Sequence, residues 1–140
     1  MKYEELRANI QKRINELPIK FAFSDRQFKE AMSELGLTES DTDKVRGVIG
    51  GGFCLKTDYE KIMKTFLDTE HELEKALEDD DFCVDAIRYE LANHEFCYTY
   101  DPDDTMEALG LSLKDSRIRR LYKIAKKQYL EEAISKGWLD

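Results

Sequence analysis

Apolar residues recur every three or four positions along much of the chain, which is the spacing of amphipathic helices. In residues 2–17 these positions are Tyr3, Leu6, Ile10, Ile14 and Leu17. Pro18 ends this helix, because the residue before a proline avoids the helical region. The same spacing predicts helices after Ser24, over residues 59–78, over residues 82–95, after Asp101 and over residues 113–136.

Three short stretches between these helices predict β-strands instead. Residues 19–23 (IKFAF) alternate apolar and other residues with the period of a strand. Residues 45–49 and 53–56 flank Gly50–Gly52, where glycine supplies the positive φ that a hairpin turn needs. The sequence therefore predicts the α+β class: a mostly helical single domain over residues 1–140 with a small two- or three-stranded antiparallel sheet.

Polar side chains predict where the first helices begin. Ser24 is expected to be an N-cap, with Gln27 at the reciprocal position of a capping box. Thr57 or Asp58 is expected to cap the helix that follows the hairpin. The four acids at 78–81 predict a break between that helix and the next.

The boundaries towards the C-terminus are also predicted from local signals. Residues 96–100 (FCYTY) are expected to be a short extended piece or the fraying end of a helix. Asp101 predicts the cap of a short helix that Gly110 ends. Ser112 with Asp115 predicts the start of the last helix.

The composition indicates a folded protein. The chain has 140 residues, 41% of them hydrophobic, and this is enough to bury a core without metals or disulfides. It has no apolar run of membrane-spanning length and no signal-peptide pattern. Three cysteines without paired spacing fit a reducing compartment. We therefore predict a cytoplasmic protein that does not bind membranes.

The negative charge is concentrated in one segment. Residues 58–90 carry 4 basic and 12 acidic residues, a net charge of −8 that equals the net charge of the whole chain. Such a field repels nucleic acid and attracts basic surfaces. Nine carboxylates within 18 residues are the candidate partner-binding residues. They are Asp68, Glu70, Glu72, Glu74, Glu78, Asp79, Asp80, Asp81 and Asp85.

Two interpretations of this acidic segment remain open. At about 1.5 Å per helical residue, the carboxylates extend over roughly 25 Å. Duplex DNA carries about one charge per 1.7 Å, so the segment has the sign and reach of DNA at a lower density. The protein would then bind the basic surface of a partner, such as a nucleic-acid-binding enzyme. Alternatively, the acids form a solvated helix face that keeps the protein soluble.

The last predicted helix has the opposite charge. Residues 114–127 contain seven basic residues and one acidic residue. They can contact a phosphate backbone, pair with the acidic segment of the same chain, or form a solvated face. The acidity of the whole chain argues against nucleic acid as the main ligand.

No motif indicates catalysis, a cofactor or a metal. The three glycines lack the lysine and spacing of a phosphate-binding loop. Glu90 and His94 lie one helical turn apart, but no second ligand pair has suitable spacing. We predict that the protein is not an enzyme. The alternative is a small metal- or cysteine-dependent enzyme that uses His94, Glu90 and Cys97.

A further alternative is a homo-oligomer or a host-factor adaptor. The last helix carries a second apolar row, Ile124, Leu130, Ile134 and Trp138, beside its predicted core face. Such a row either packs inside the protein or contacts another molecule.

Three sequence blocks together resemble a known group of proteins. The blocks are FAFSDRQF, GGGF and YELANHE, within residues 17–111. They resemble small proteins of unknown function from prophages, plasmids and conjugative elements of Gram-positive gut bacteria. FAFSDRQFKEAMSELGL and DAIRYELA are also distantly similar to the antirestriction protein ArdA, an acidic DNA mimic. This resemblance implies a counter-defence role, antirestriction or anti-CRISPR, and implies no catalytic residue.

Overall fold

The computed structural model describes residues 1–138, which form seven α-helices and two β-strands. The helices are α1 (Tyr3–Asn15), α2 (Asp25–Glu34), α3 (Tyr59–Ala76), α4 (Asp80–Asn93), α5 (Phe96–Thr99), α6 (Asp103–Leu109) and α7 (Ser116–Ser135). The strands β1 (Val45–Gly47) and β2 (Phe53–Leu55) pair antiparallel. The predicted α+β class, mostly helical with a small antiparallel sheet, is confirmed.

Backbone contacts divide the chain into two compact units. We call Gln11–Glu70 the sheet unit, and Met1–Ile10 with the chain from His71 onward the helical unit. Each unit has its own buried apolar cluster. The single domain expected over residues 1–140 therefore stays a prediction.

The hairpin of the sheet unit forms around the glycines, as predicted. Gly50 and Gly51 have φ of +97° and +90°, which only glycine adopts readily. The Val48 amide donates to the Gly52 carbonyl at 2.8 Å and closes the turn. Val48, Cys54 and Ile62 form the buried cluster beneath the hairpin.

The strand predicted over residues 19–23 does not form. In this stretch only Lys20 pairs with β2. Its N–H and its C=O each form a 2.8 Å hydrogen bond with the backbone of Phe53. The chain then turns towards α2, whose cap at Ser24 leaves too few residues for a third strand. Phe21 and Phe23 consequently remain 53% and 88% exposed.

Of the two predicted N-caps in the first half of the chain, the structure confirms Ser24 but not Thr57 or Asp58. Ser24 caps α2 as expected, since its hydroxyl accepts from the Gln27 amide at 3.2 Å. The Gln27 side chain bonds to the Phe23 amide rather than to that of Ser24. Thr57 and Asp58 are not N-caps, because they lie in a 3₁₀ turn, Lys56–Asp58, that continues directly into α3.

The C-terminal boundaries also differ in detail. Residues 96–99 form the short helix α5 rather than an extended piece, because Phe96 is buried in the core of the helical unit. The N-cap residue of α6 is Pro102 and not the predicted Asp101, whose side chain accepts from the Asp103 amide at 2.9 Å just before the helix. Gly110 ends that helix at φ +65°, as predicted. The last helix starts at Ser116, with Asp115 as its cap.

Helix α4 is central to the helical unit. It packs against α5, α6 and α7. The fully buried residues of this core are Cys83, Ala86, Ile87, Leu91, Phe96, Leu121, Ala125 and Tyr129. The buried residues of α7 are three or four positions apart, as the helical spacing predicts. They are Ile118, Leu121, Ala125, Tyr129 and Ala133.

One buried hydroxyl in this core offers a stability prediction. The Thr105 side chain on α6 is fully buried, and its hydroxyl has no hydrogen-bond partner among the described residues. We expect Thr105→Val to raise the free energy of unfolding by about 1 kcal/mol, because a buried unsatisfied polar atom is removed. Denaturant unfolding measures this change.

Thr69→Val is the matched control. Thr69 is also buried, but its hydroxyl donates to the Phe66 carbonyl at 2.9 Å. This variant should lose stability because the bond is lost. Equal losses in the two variants would show that the Thr105 hydroxyl does not cost stability.

Candidate functional site

The acidic run at the junction of α3 and α4 begins α4. Asp79 is the N-cap, and its Oδ1 accepts from the Phe82 amide at 2.8 Å. Asp80 and Asp81 occupy the first turn, where a carboxylate is favoured by the positive end of the helix dipole. The predicted break between the two helices is confirmed, since α3 ends at Ala76 and α4 begins at Asp80. Helix α4 starts two residues before the predicted position, because Asp79 caps it.

Asp80 pairs with two arginines of α7. Its carboxylate oxygens accept from Arg117 Nε at 2.9 Å and from an Arg120 terminal nitrogen at 3.1 Å. Hydrogen bonds from Arg120 and Arg117 lower the pKa of Asp80. Arg117 also donates to the carbonyls of Leu77 and Glu78, both at 2.9 Å. These two cations of the basic helix thus pair with the acidic segment of the same chain.

Asp85 anchors the first residue of α1. Its Oδ2 accepts from the Tyr3 amide at 3.0 Å, and its Oδ1 lies 3.1 Å from Arg88. Both carboxylate oxygens therefore have partners inside the helical unit. Asp85 is half-buried, which further limits its contact with another protein.

The nine candidate carboxylates do not all belong to one unit. Asp68 and Glu70 lie on α3 within the sheet unit. The other seven lie in the helical unit, namely Glu72, Glu74, Glu78, Asp79, Asp80, Asp81 and Asp85. Among these seven, the side chains of Glu74, Glu78 and Asp81 are exposed and have no hydrogen bond or ion pair with the described residues. We call these three residues the acidic face.

An open depression of about 320 Å³ lies beside two members of the acidic face. Glu74 and Glu78 line it together with Leu77, Leu109 and Leu111, and the charged residues Asp115 and Arg117 also line it. Asp81 lines a second depression of about 370 Å³ between α4 and α7. The acidic face therefore combines free carboxylates with nearby apolar surface.

A second polar cluster surrounds Glu90, which is only 2% exposed. The Tyr3 hydroxyl donates to Glu90 Oε1 at 2.7 Å, and Arg7 Nε lies 3.6 Å from the same oxygen. His94 Nε2 lies 3.1 Å from Oε2, without the alignment of a hydrogen bond. Burial and the bond to Glu90 raise the pKa of Tyr3, so its hydroxyl remains a donor.

This cluster gives Glu90 hydrogen-bond partners inside the helical unit. The sequence spacing placed the two residues one turn apart, but it carried no signal for Tyr3, which is 87 positions away from Glu90. Within residues 1–138, no group of three His, Cys, Asp or Glu side chains could hold a metal ion.

The three cysteines differ in their surroundings. Burial raises the pKa of Cys54 and of Cys83, which disfavours the reactive thiolate. Cys97 is half-buried, and its amide donates to the Tyr129 hydroxyl at 3.1 Å. Burial, followed by a hydrogen bond with the Cys97 side chain, raises the pKa of Tyr129 to about 12, although the bond from the Cys97 amide acts in the opposite direction.

Comparison with known proteins identifies a family but no relative of established activity. No curated protein and no solved structure matches the chain. In the described part of the chain, no helix has the length and apolarity needed to cross a bilayer. Residues 2–128 match the model of a family of unknown function, DUF7659, and the chain therefore belongs to that family.

Proposed function

We propose that the protein acts by binding and not by catalysis, and that its acidic face contacts a basic surface on another protein. The observation that carries this proposal is the state of Glu74, Glu78 and Asp81. All three are exposed, whereas other acids of the same run already cap helices or hold arginines. A carboxylate without an internal partner is available to an external cation.

The depression beside the acidic face suits a lysine or an arginine of the partner. The aliphatic part of such a side chain can lie on Leu77, Leu109 and Leu111, while its charged end reaches Glu74 or Glu78. This arrangement favours a folded basic surface, because apolar contact adds to the charge attraction.

We further propose that the partner is a nucleic-acid-binding enzyme and that the protein serves a mobile genetic element in counter-defence. The acidic face would then occupy part of a groove that normally holds DNA, as an antirestriction or anti-CRISPR inhibitor does. The net charge of −8 and the resemblance to mobile-element proteins support this role. The pairing of Asp80 with Arg117 and Arg120 interrupts the negative surface, so mimicry would be restricted to a short length of DNA.

The polar cluster around Glu90 supports the non-catalytic part of the proposal. A general base must reach its substrate. Glu90 is buried, and its oxygens already contact Tyr3 and His94. The contacts of Glu90 with these residues are a reason for a buried carboxylate at this position that requires no catalysed reaction.

A charge-reversed variant tests the proposal. Glu74→Lys, Glu78→Lys and Asp81→Lys should together abolish inhibition of a restriction endonuclease or an RNA-guided nuclease that the wild-type protein inhibits. Asp79 and Asp80 are left unchanged because both stabilise the start of α4. Cleavage of duplex DNA is measured at several salt concentrations, since screening weakens contacts between exposed charges.

The control variant carries Glu16→Lys, Glu39→Lys and Glu60→Lys. These residues are also exposed and the change in net charge is the same, but they lie in the sheet unit. The control should inhibit like the wild type. Equal inhibition by both variants would refute the role of the acidic face, and a wild type that inhibits no nuclease in a broad panel would refute counter-defence.

A further inference from the structure

Helix α7 exposes apolar side chains on the face opposite its buried stripe. The stripe consists of Ile118, Leu121, Ala125, Tyr129 and Ala133. On the outward face Ile134 is 64% exposed, and Ile124, which is 40% exposed, lies at the edge of that face beside the depression between α4 and α7. Leu130, which the sequence placed in the same row, instead packs against the core. Two partly exposed isoleucines thus lie on the side of α7 that faces away from the core.

The outward face has the spacing of a coiled-coil seam. Ile124, Lys127, Glu131 and Ile134 are separated by three, four and three residues, which is the a–d alternation of a heptad. The residue types of this seam are arranged symmetrically about position 129. An isoleucine stands at each end, and a lysine on one side of the centre corresponds to a glutamate on the other.

Lys127 and Glu131 have no ion pair within the described chain, although they lie one helical turn apart. A lysine that precedes a glutamate by four residues makes the weaker of the two possible intrahelical pairs. Both charged groups are exposed and are therefore available to a partner with the complementary arrangement.

We propose that this seam binds the same seam of a second copy of the chain, with the two α7 helices antiparallel about a two-fold axis near Tyr129. Ile124 then meets Ile134 of the second copy, and Lys127 meets Glu131 of the second copy. The symmetry repeats both contacts, as in an isologous interface. A parallel arrangement would instead place Lys127 against Lys127 and Glu131 against Glu131, which is repulsive.

The seam from Ile124 to Ile134 is only about 15 Å long. This is short for an interface of about 1,200 Å², so we expect a weak dimer with a micromolar dissociation constant.

Sedimentation equilibrium of the full chain, from low micromolar to millimolar concentration, tests the dimer. We expect the average mass to rise from 16.4 kDa towards twice that value. Lys127→Glu and Glu131→Lys should each abolish the rise, because each creates two like-charge contacts across the axis. The double variant Lys127→Glu with Glu131→Lys should restore it, since the charges are again complementary.

Two charge-matched controls lie outside the seam. Lys114→Glu and Glu74→Lys alter exposed residues and should leave the dimer unchanged. Circular dichroism checks that every variant keeps its helices. A constant mass of 16.4 kDa at all concentrations would overturn the proposal. So would single variants that still dimerise, or a double variant that does not recover dimerisation.

Discussion

Glu90→Ala should lower the free energy of unfolding by about 3 kcal/mol, since removing one member of a buried polar cluster leaves its partners unsatisfied. The Tyr3 hydroxyl loses its 2.7 Å bond, and Arg7 and His94 lose the carboxylate that they contact. A cavity replaces the lost side chain. Denaturant unfolding followed by circular dichroism measures the change.

Two conservative variants separate the contributions to this effect. Tyr3→Phe removes only the hydroxyl and should cost about 1 kcal/mol. Glu90→Gln keeps an acceptor for Tyr3 but removes the charge near Arg7 and His94. Glu90→Gln should therefore lower the free energy of unfolding by an amount between those for Tyr3→Phe and Glu90→Ala. A loss below about 0.5 kcal/mol for Glu90→Ala, the range of ordinary surface substitutions, would contradict this account of the cluster.

Gly52→Ala should destabilise the sheet unit by about 2 kcal/mol, which is typical of overpacking a well-packed site. A Cβ at this position would lie 2.6 Å from Cγ2 of Ile19 and 3.0 Å from the Lys20 carbonyl oxygen. Relief of this clash requires residues 19–20 to move away from β2. The two hydrogen bonds between Lys20 and Phe53 would then be weakened.

Gly47→Ala is the control for this substitution. A Cβ on Gly47 would meet only the Gly52 carbonyl oxygen, at an ordinary 3.9 Å. This variant should be close to wild type in stability. Hydrogen exchange of the Lys20 and Phe53 amides provides a local measurement, and exchange should accelerate in Gly52→Ala alone. If the exchange rates of these two amides are unchanged in Gly52→Ala, the close approach at Gly52 does not stabilise the pairing of Lys20 with Phe53.

The features that could be predicted from the sequence are those set by local spacing and by caps. The helical stripe of α7, the glycine turn and the Ser24 cap depend on residues within a few positions of one another. The failure of residues 19–23 to form a strand could not be predicted this way. It depends on how Lys20 alone pairs with Phe53, more than thirty positions later.

The candidate site shows the same limit. Sequence identified the acidic run, but it could not distinguish the acids that stabilise the fold from those that are free. Asp80 is paired by Arg117 and Arg120, 37 and 40 positions away, and Asp85 holds the amide of Tyr3. Of the seven candidates in the helical unit, the three of the acidic face remain without such partners, whereas Asp68 and Glu70 lie in the sheet unit.

Competition with DNA tests the central proposal most directly. Immobilised wild-type protein is exposed to a bacterial lysate, washed, and then treated with excess short duplex DNA at low salt. We expect the duplex to release bound proteins that the variant with Glu74→Lys, Glu78→Lys and Asp81→Lys does not capture. Release by duplex DNA, with loss of capture in that variant, would support an acidic face that occupies a DNA-binding surface. Proteins that stay bound in excess DNA, or that bind the variant equally well, would contradict it.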